Sequence, residues 1–502
     1  MLMKALEIIR EALKGTQFEK QVYLVGGIVR DRLLAQFHLL AALPQKVSHG
    51  CSTESDDIDL VCEGDYLALT ENLYSKGICE HFPVTYPRFR TAMVSVAGCK
   101  IEIVGARKES YKPNSRKPEA VPANLKEDVY RRDFTINTLL ENLHTGELRD
   151  LTGKGLDDLK SGTIRTPLDP IATFDDDPLR MMRAIRFSSR FGFDISEETL
   201  QGIALRADRL NIISYERIRD EFVKIIMCSN SGRASHAETN NSTGIPETSG
   251  AAVGIELLRT TGLLKIFLPE LNRLWNFSNN CSSDHDLWSH CVLTMEYIPL
   301  EAGVSVRLAG LLHEIDRTFE SSKAIDLALH PEQDLLRKIL HRMKFSYTET
   351  EGIIWLVDQL AHLDVHACLL DDPAIRRLIR NAGTRFPVLL ILARAHIAAT
   401  GDFTMAANLD LLERKAVTIS QSEGSHFESP LDGREIMGLT GCNEGVVIGK
   451  LKQFLLSQVL NGVVRPGDKD SARTILLDYW HSFNDEFSLK QCVCLTDNTP
   501  DS

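Results

Sequence analysis

Over the first hundred residues, short apolar runs alternate with amphipathic stretches. "VYLV" (Val22–Val25) runs into Gly26 and Gly27 and then "IVRDRLL", which reads as a strand, a tight turn and a helix. "DIDLVC", "TAMVSVAG" and "KIEIVGA" are further strand-like runs, with Gly98 as the hairpin turn between the last two. Ahead of them, "MLMKALEIIREALKG" places Leu2, Leu6, Ile9 and Leu13 at helical spacing and predicts a first helix. From about Leu156 onward the pattern is almost wholly helical, as in "DPLRMMRAIRFSSRFGF", "TLQGIALRADRL", "YERIRDEFVKIIM", "VRLAGLLHEIDR" and "FPVLLILARAHIAAT". The pattern therefore predicts an α+β head on an α-helical remainder. Two stretches poor in apolar residues, Ser229–Gly250 and Ser420–Ser429, are expected to be mobile surface loops. No internal repeat is found.

A chain of 502 residues exceeds a single core, and its length suggests about three or four domains. Its 43% hydrophobic and 25% charged residues are those of an ordinary soluble protein, and no apolar run reaches membrane-spanning length. The N-terminus lacks the long apolar core of a secretory signal. Eleven cysteines, an odd number without a paired C-x-x-C scaffold, predict reduced thiols and a cytoplasmic location. The net charge of -12 argues against a nucleic-acid partner, but phosphate attraction acts over about 8–10 Å and so depends on local clusters. One cluster exists. Arg107, Lys108, Lys112, Arg116, Lys117, Lys126, Arg131 and Arg132 stand against Glu109, Glu119, Glu127 and Asp128, which fits an RNA-binding surface and equally a solvated charged loop.

Paired glycines between a strand and a helix allow backbone to approach a phosphate, because no Cβ blocks it. Gly26 and Gly27 fit that reading and also an ordinary strand-to-helix turn; neither G-x-G-x-x-G nor G-K-[ST] comes after them. In "SDDIDLVC" a strand starting at Asp57 puts Asp57 and Asp59 on one face, with Ile58 and Leu60 turned to the core. Two such carboxylates repel unless a cation lies between them. Hard ions such as Mg²⁺ take carboxylate oxygens, and a pair of ions about 3.5–4 Å apart can activate a hydroxyl and stabilise a leaving phosphate. Glu102, alternating with Ile101 and Ile103, could add a third carboxylate from an adjoining strand.

Strand, Gly-Gly, helix and Asp-x-Asp strand in this order resemble the nucleotidyltransferase superfamily of DNA polymerase β. "GARKESYKPNSRKP" (Gly105–Pro118), "DVYRRDFTINTLL" (Asp128–Leu140), "DLTGKGLDDLKSGTIRTP" (Asp150–Pro167), "FDDDPLRMMRAIRFSSRFGF" (Phe174–Phe193) and "ISYERIRDEFVKII" (Ile213–Ile226) resemble the successive motifs of class II tRNA nucleotidyltransferases and bacterial poly(A) polymerases. The resemblance runs from Gly26 to Ile226. It implies that Asp57 and Asp59 hold a two-metal Mg²⁺ site with Glu102 as a further catalytic carboxylate. It also implies that Gly26, Gly27 and Arg30 meet a triphosphate, and that Arg131, Arg132, Asp133 and Asn137, bracketing a helix start, meet phosphates and a ribose hydroxyl. Asp177 and Arg180, three apart on one helix face, would offer an acceptor and donors to a nucleobase edge in place of a template, with Arg183 bracing that face. Here Asp176 stands where the family usually has Glu. Arg107, Lys108, Arg116 and Lys117 become candidates for RNA binding.

The implied architecture is a catalytic head (1–145), a nucleotide-selecting and RNA-binding neck (146–227), an insertion (228–254), a helical body (255–415) and a helical tail (430–482). "HLLAALPQKVSHGCSTES" lengthens the spacing from Gly27 to Asp57 and reads as an inserted loop that includes residues 41–55. "DHDLWSHCVLTMEYI" and "LAGLLHEID" resemble an HD domain, but its His-Asp pair is His313-Glu314 here, with His290 as the other candidate ligand. A degenerate, structural HD-like layer is expected, and His285, His330 and His341 are read as ordinary histidines. The implied activity is CCA addition to tRNA from CTP and ATP, with no membrane and no obligate protein partner. The alternatives are an A-adding specialist or poly(A) polymerase, an HD-type phosphohydrolase, and a non-catalytic RNA-binding relic.

Overall fold

Alternation along the early strands builds the sheet that carries the expected carboxylates. In the computed structural model, which describes residues 2–37, 58–110, 119–229, 250–275, 286–316, 331–363, 371–424 and 427–493, α1 (Leu2–Leu13) precedes β1 (Val22–Val25), and α2 (Gly27–Gln36) comes directly after. Then come β2 (Ile58–Cys62), α3 (Tyr66–Ser75), β3 (Val84–Tyr86), β4 (Thr91–Val96) and β5 (Cys99–Gly105). A side hairpin, β6 (Arg107–Ser110) and β7 (Glu119–Pro122), leads to α4 (Leu125–Tyr130), β8 (Leu140–Asn142) and β9 (Leu148–Arg149). The main sheet has the order β3-β4-β5-β2-β1-β8-β9. Only β2 and β5 run parallel within it; the other neighbours are antiparallel, as an α+β head requires.

The period of two divides the sheet as expected. Ile58, Leu60, Ala92, Val94, Ile101 and Ile103 are buried on the face over which α3 packs. On the other face Tyr23, Val25, Val61 and Leu140 form a second core with Leu125 and Val129 of α4. Asp59, Met93 and Glu102 lie on that second face, only half-buried. The β4–β5 hairpin turns at Ala97 and Gly98, both with positive φ (50° and 75°), which gives a two-residue turn matching strand twist.

After the sheet the chain is helical: α5 (Gly155–Ser161), α6 (Pro170–Asp176), α7 (Leu179–Phe191), α8 (Glu197–Arg206) and α9 (Tyr215–Ile226). α7 packs on α9 around a buried ion pair, Arg186 Nε to Glu221 Oε2 at 3.1 Å. Gly250–Thr260 packs on both helices. Helices Leu287–Tyr297 and Val304–Leu312 pair farther along, and Arg342 clamps Glu270 with two bonds of 2.8 and 2.6 Å.

Two compact units result, Met1–Val357 and Asp358–Ser502, so the division falls within the segment read as one helical body. The second unit is built on Ile375, Ile379, Ile419, Leu431, Leu451 and Leu455. One expectation fails there. Ser420–Glu423 complete the helix Phe403–Glu423 and Phe427 is 2% exposed within the core, so these residues of the expected loop are helix and core; Ser425 and His426 lie outside the described residues. A helix end rich in Ser is held in place because one aromatic side chain, a few residues farther on, anchors the chain in the core. The expected loop 41–55 lies outside the described residues, as do His285 and His330; of the expected loop 229–250 only its two ends are described, and Gly250 opens the helix Gly250–Thr260. Among the described residues no helix is long and apolar enough to cross a membrane. Cys62, Cys79, Cys99, Cys228, Cys291 and Cys442 take part in no disulfide.

Candidate active site

Gly26 caps α2 with φ 79° and ψ -140°, a conformation that glycine alone adopts without strain. A Cβ at Gly26 would lie 3.3 Å from Asp59 Oδ2, so the missing side chain keeps the turn close against that carboxylate. Beyond Gly26, the first N–H groups of α2 have no carbonyl within the helix and point out of its positive end. The parallel register pairs Asp59 with Glu102, and side chains so paired stand side by side on one face. Asp57 precedes the first described residue of β2 and lies outside the described residues. Two adjacent carboxylates, beside a turn that a Cβ would crowd, form the hard-oxygen set a divalent cation prefers, and the residues fit such an ion.

Arg30 departs from its expected position. It is 1% exposed, donates from Nη1 to Asn137 Oδ1 at 2.7 Å, pairs with Asp31 Oδ1 at 2.7 Å, and lies over the rings of Phe187 and Phe191 at 5.2 and 4.7 Å. The buried guanidinium, flanked by an acceptor, a carboxylate and two α7 rings, lies against the glycine turn, where a Cβ at Gly27 would be 3.4 Å from its Nη2.

Arg131, Arg132, Asp133 and Asn137 come after the end of α4 and close only a short 3₁₀ turn (Thr135–Asn137); they do not open a helix. Both arginines are held by Asp128, at 2.8 and 2.9 Å. Burial pushes the Asp128 carboxyl upward, but Arg132 and Arg131 outweigh it and hold the group below the usual range. Asp133 is bound on all sides: Phe134 N–H and Asn137 Nδ2 donate to Oδ1 at 2.8 and 3.0 Å, and Arg183 donates from Nε and Nη2 to Oδ2 at 2.9 and 2.6 Å. Burial opposes its charge, yet Arg183, Asn137 and the nearby charge of Arg180 hold it well below the ordinary carboxylate range. Arg183 is thus turned to Asp133. A continuous polar chain runs Arg30–Asn137–Asp133–Arg183, from the glycine turn to α7.

Asp177 and Arg180 do not share a helix face. Asp177 is extended (φ -139°) at the junction of α6 and α7, because Pro178 disfavours helical backbone in the residue before it. Asp177 accepts from Leu179 N–H at 3.2 Å and pairs with Arg217 of α9 at 3.4 Å. Arg180 donates to the Arg131 carbonyl at 2.5 Å, so the two side chains border one region beside the arginine pair by different routes. Asp128 and Arg217 were missed as functional partners; the i, i+3 and i, i+4 spacing of Asp128 to Arg131 and Arg132 was the available signal, while nothing local marks Arg217.

Of the expected RNA-binding residues, Arg107 bonds the Phe89 carbonyl and Thr91 Oγ1 and Lys108 is exposed, while Arg116 and Lys117 lie outside the described residues. In the HD-like region His290 and His313 face each other, Nε2 to Nε2 at 3.1 Å, His313 Nδ1 is 2.8 Å from the Gly310 carbonyl, and Glu314 is buried; His341 is exposed.

Residues 22–165 match the family described as poly A polymerase head domain, and residues 192–236 match the probable RNA and SrmB-binding site of polymerase A. The CCA-adding enzyme of Lactobacillus helveticus is 36% identical over 281 residues, 55% of this chain and 62% of that enzyme. The mitochondrial CCA tRNA nucleotidyltransferase of Saccharomyces cerevisiae is 35% identical over 211 residues, 41% of this chain and 38% of that protein. The matches thus span less than two thirds of either relative. The structure of the Bacillus stearothermophilus CCA-adding enzyme in complex with CTP superposes with a TM-score of 0.65 at 20% identity, covering 97% of this chain and 99% of that one, a likeness of fold.

Proposed function

We propose that this chain, whose residues 22–165 and 192–236 match the head and RNA-binding families of polymerase A, is a class II tRNA nucleotidyltransferase that adds CMP and AMP from CTP and ATP to the 3′ end of tRNA without a template. The observation that carries the reading is the pairing of Asp59 with Glu102 on one sheet face, against the side-chain-free Gly26 turn. In this reading the free N–H groups at the start of α2 receive the triphosphate. Arg131 and Arg132, pre-set by Asp128, add positive charge at the phosphates without first losing rotamer freedom. Asp133, pinned by Arg183 and Asn137, meets the ribose hydroxyl by exchanging one of these donors for it. Asp177 and Arg180 choose the base. The RNA 3′ hydroxyl attacks the α-phosphorus, a new O–P bond forming as the bond to pyrophosphate breaks.

Asp57, Asp59 and Glu102 would hold Mg²⁺, which when bound lowers the cost of the charge that develops on the phosphate oxygens. The free cysteines suit a reducing, cytoplasmic compartment. The test supplies tRNA ending before CCA with CTP and ATP, separately and together, and sequences the products. Two C residues with CTP alone and complete CCA with both are expected. Addition of A alone, or of long A tails, would refute the reading in favour of an A-adding specialist.

A further inference from the structure

At the open edge of the main sheet, β3 presents three exposed residues in succession, Val84, Thr85 and Tyr86. Register ties this edge to the carboxylates. Val84 pairs with Met93, Met93 with Glu102, and Glu102 with Asp59, so one row on one face crosses four strands. Tyr86, two residues from Val84, stands on that same face. Three inter-strand steps of about 4.8 Å put the edge about 14 Å from Asp59.

The edge is aromatic and basic. Tyr86 is 48% and Phe89 41% exposed, and the Arg88 guanidinium lies 5.9 Å from the centre of the Phe89 ring. From His81 to Thr91 the sequence carries no acidic residue in a chain of net charge -12, and with Arg90 turned onto the buried Tyr66 ring, Arg88 is the cation of this edge. The turn Pro87–Phe89 packs against β7, and Arg107 bonds the Phe89 carbonyl, which brings the side hairpin with exposed Lys108 alongside. Exposed rings interleaved with cations suit unpaired nucleotides, whose bases stack on the rings while their phosphates meet the cations.

We propose that Tyr86, Arg88 and Phe89, flanked by Lys108, form a stacking platform for the unpaired 3′-terminal nucleotides of the RNA, leading them along the sheet face towards Asp59. The proposal rests on the nucleotidyl-transfer reading for its orientation, and the test separates the two. An RNA hairpin with three unpaired 3′ nucleotides, one of them 2-aminopurine, is titrated without NTP against the wild type, Tyr86→Ala/Phe89→Ala and Tyr86→Phe; a blunt hairpin is the control. The wild type should prefer the overhang and quench its fluorescence. The double variant should bind the overhang RNA about tenfold more weakly and the blunt RNA as before, and Tyr86→Phe should retain both readouts. Arg88→Glu, a surface change, should show the same selective loss and serves if the double variant does not fold. An overhang preference kept by these variants overturns the platform, as does a change in self-association with RNA binding untouched, which would mark a protein-docking edge. A wild type that prefers the overhang yet adds no nucleotide refutes only the proposed activity.

Discussion

Gly26 and Gly27 look alike in the sequence and differ in the fold. At Gly26 a side chain meets both a positive φ and Asp59, whereas a Cβ at Gly27 would lie 3.4 Å from Arg30 Nη2, an ordinary contact. Gly26→Ala should therefore cost about 1–3 kcal/mol of stability along with activity, while Gly27→Ala should melt near the wild type and lose affinity for CTP and ATP. Thermal melts and nucleotide titrations on the same preparations check this; a Gly27→Ala protein that binds both nucleotides normally reduces the pair to a tight turn. Asp133 makes a second prediction. Its carboxyl is held lower in the folded protein than in the unfolded chain, so the folded state binds fewer protons. Its contribution is complete above about pH 5 and is lost as pH falls through the depressed folded value. Asp133→Asn should lose about 2–3 kcal/mol at neutral pH, and urea unfolding should show the gap from wild type narrowing as the pH is lowered below about 4. A gap independent of pH would contradict the assigned charge.

At the scale of elements, the junction of α6 and α7 sets base choice in this account. Asp177→Ala should erode discrimination of CTP and ATP against UTP and GTP by about tenfold or more while triphosphate affinity changes little; misincorporation on tRNA measures it, and full discrimination by the variant would remove Asp177 from the role. In the second unit, Phe427→Ala should lower stability by about 3–5 kcal/mol, read as an earlier unfolding transition, because it empties a buried aromatic position. The sheet was legible because Ile58, Leu60, Ile101 and Ile103 alternate with Asp59 and Glu102, and that period shows in the sequence. Pairing of Asp59 with Glu102 needed the strand order, which no local pattern carries. The inward turn of Arg30 was hidden because Asn137 and the α7 rings are distant in sequence, and the helix-face reading of Asp177 failed because Pro178 breaks the helix there. Phe427 was overlooked for a related reason: a single apolar residue in a polar stretch has no period.

For the molecule as a whole, chemistry concentrates where the main sheet meets the helices after it. The chain Arg30–Asn137–Asp133–Arg183 links the glycine turn, the segment after α4, and α7, so the parts proposed to hold the triphosphate and to choose the base share one support. In a chain of net charge -12, Arg131 and Arg132 are fixed by the buried acid Asp128, which gives the proposed RNA chemistry a local cation pair. Transfer at the Asp59–Glu102 face, as proposed, makes CMP addition depend on Asp59, which is read from single-turnover addition to tRNA ending before CCA with wild type and Asp59→Asn compared at matched RNA saturation. The wild type should add CMP rapidly and the variant at least roughly a hundredfold more slowly, with RNA affinity within a few-fold. Comparable rates in the two proteins would contradict it.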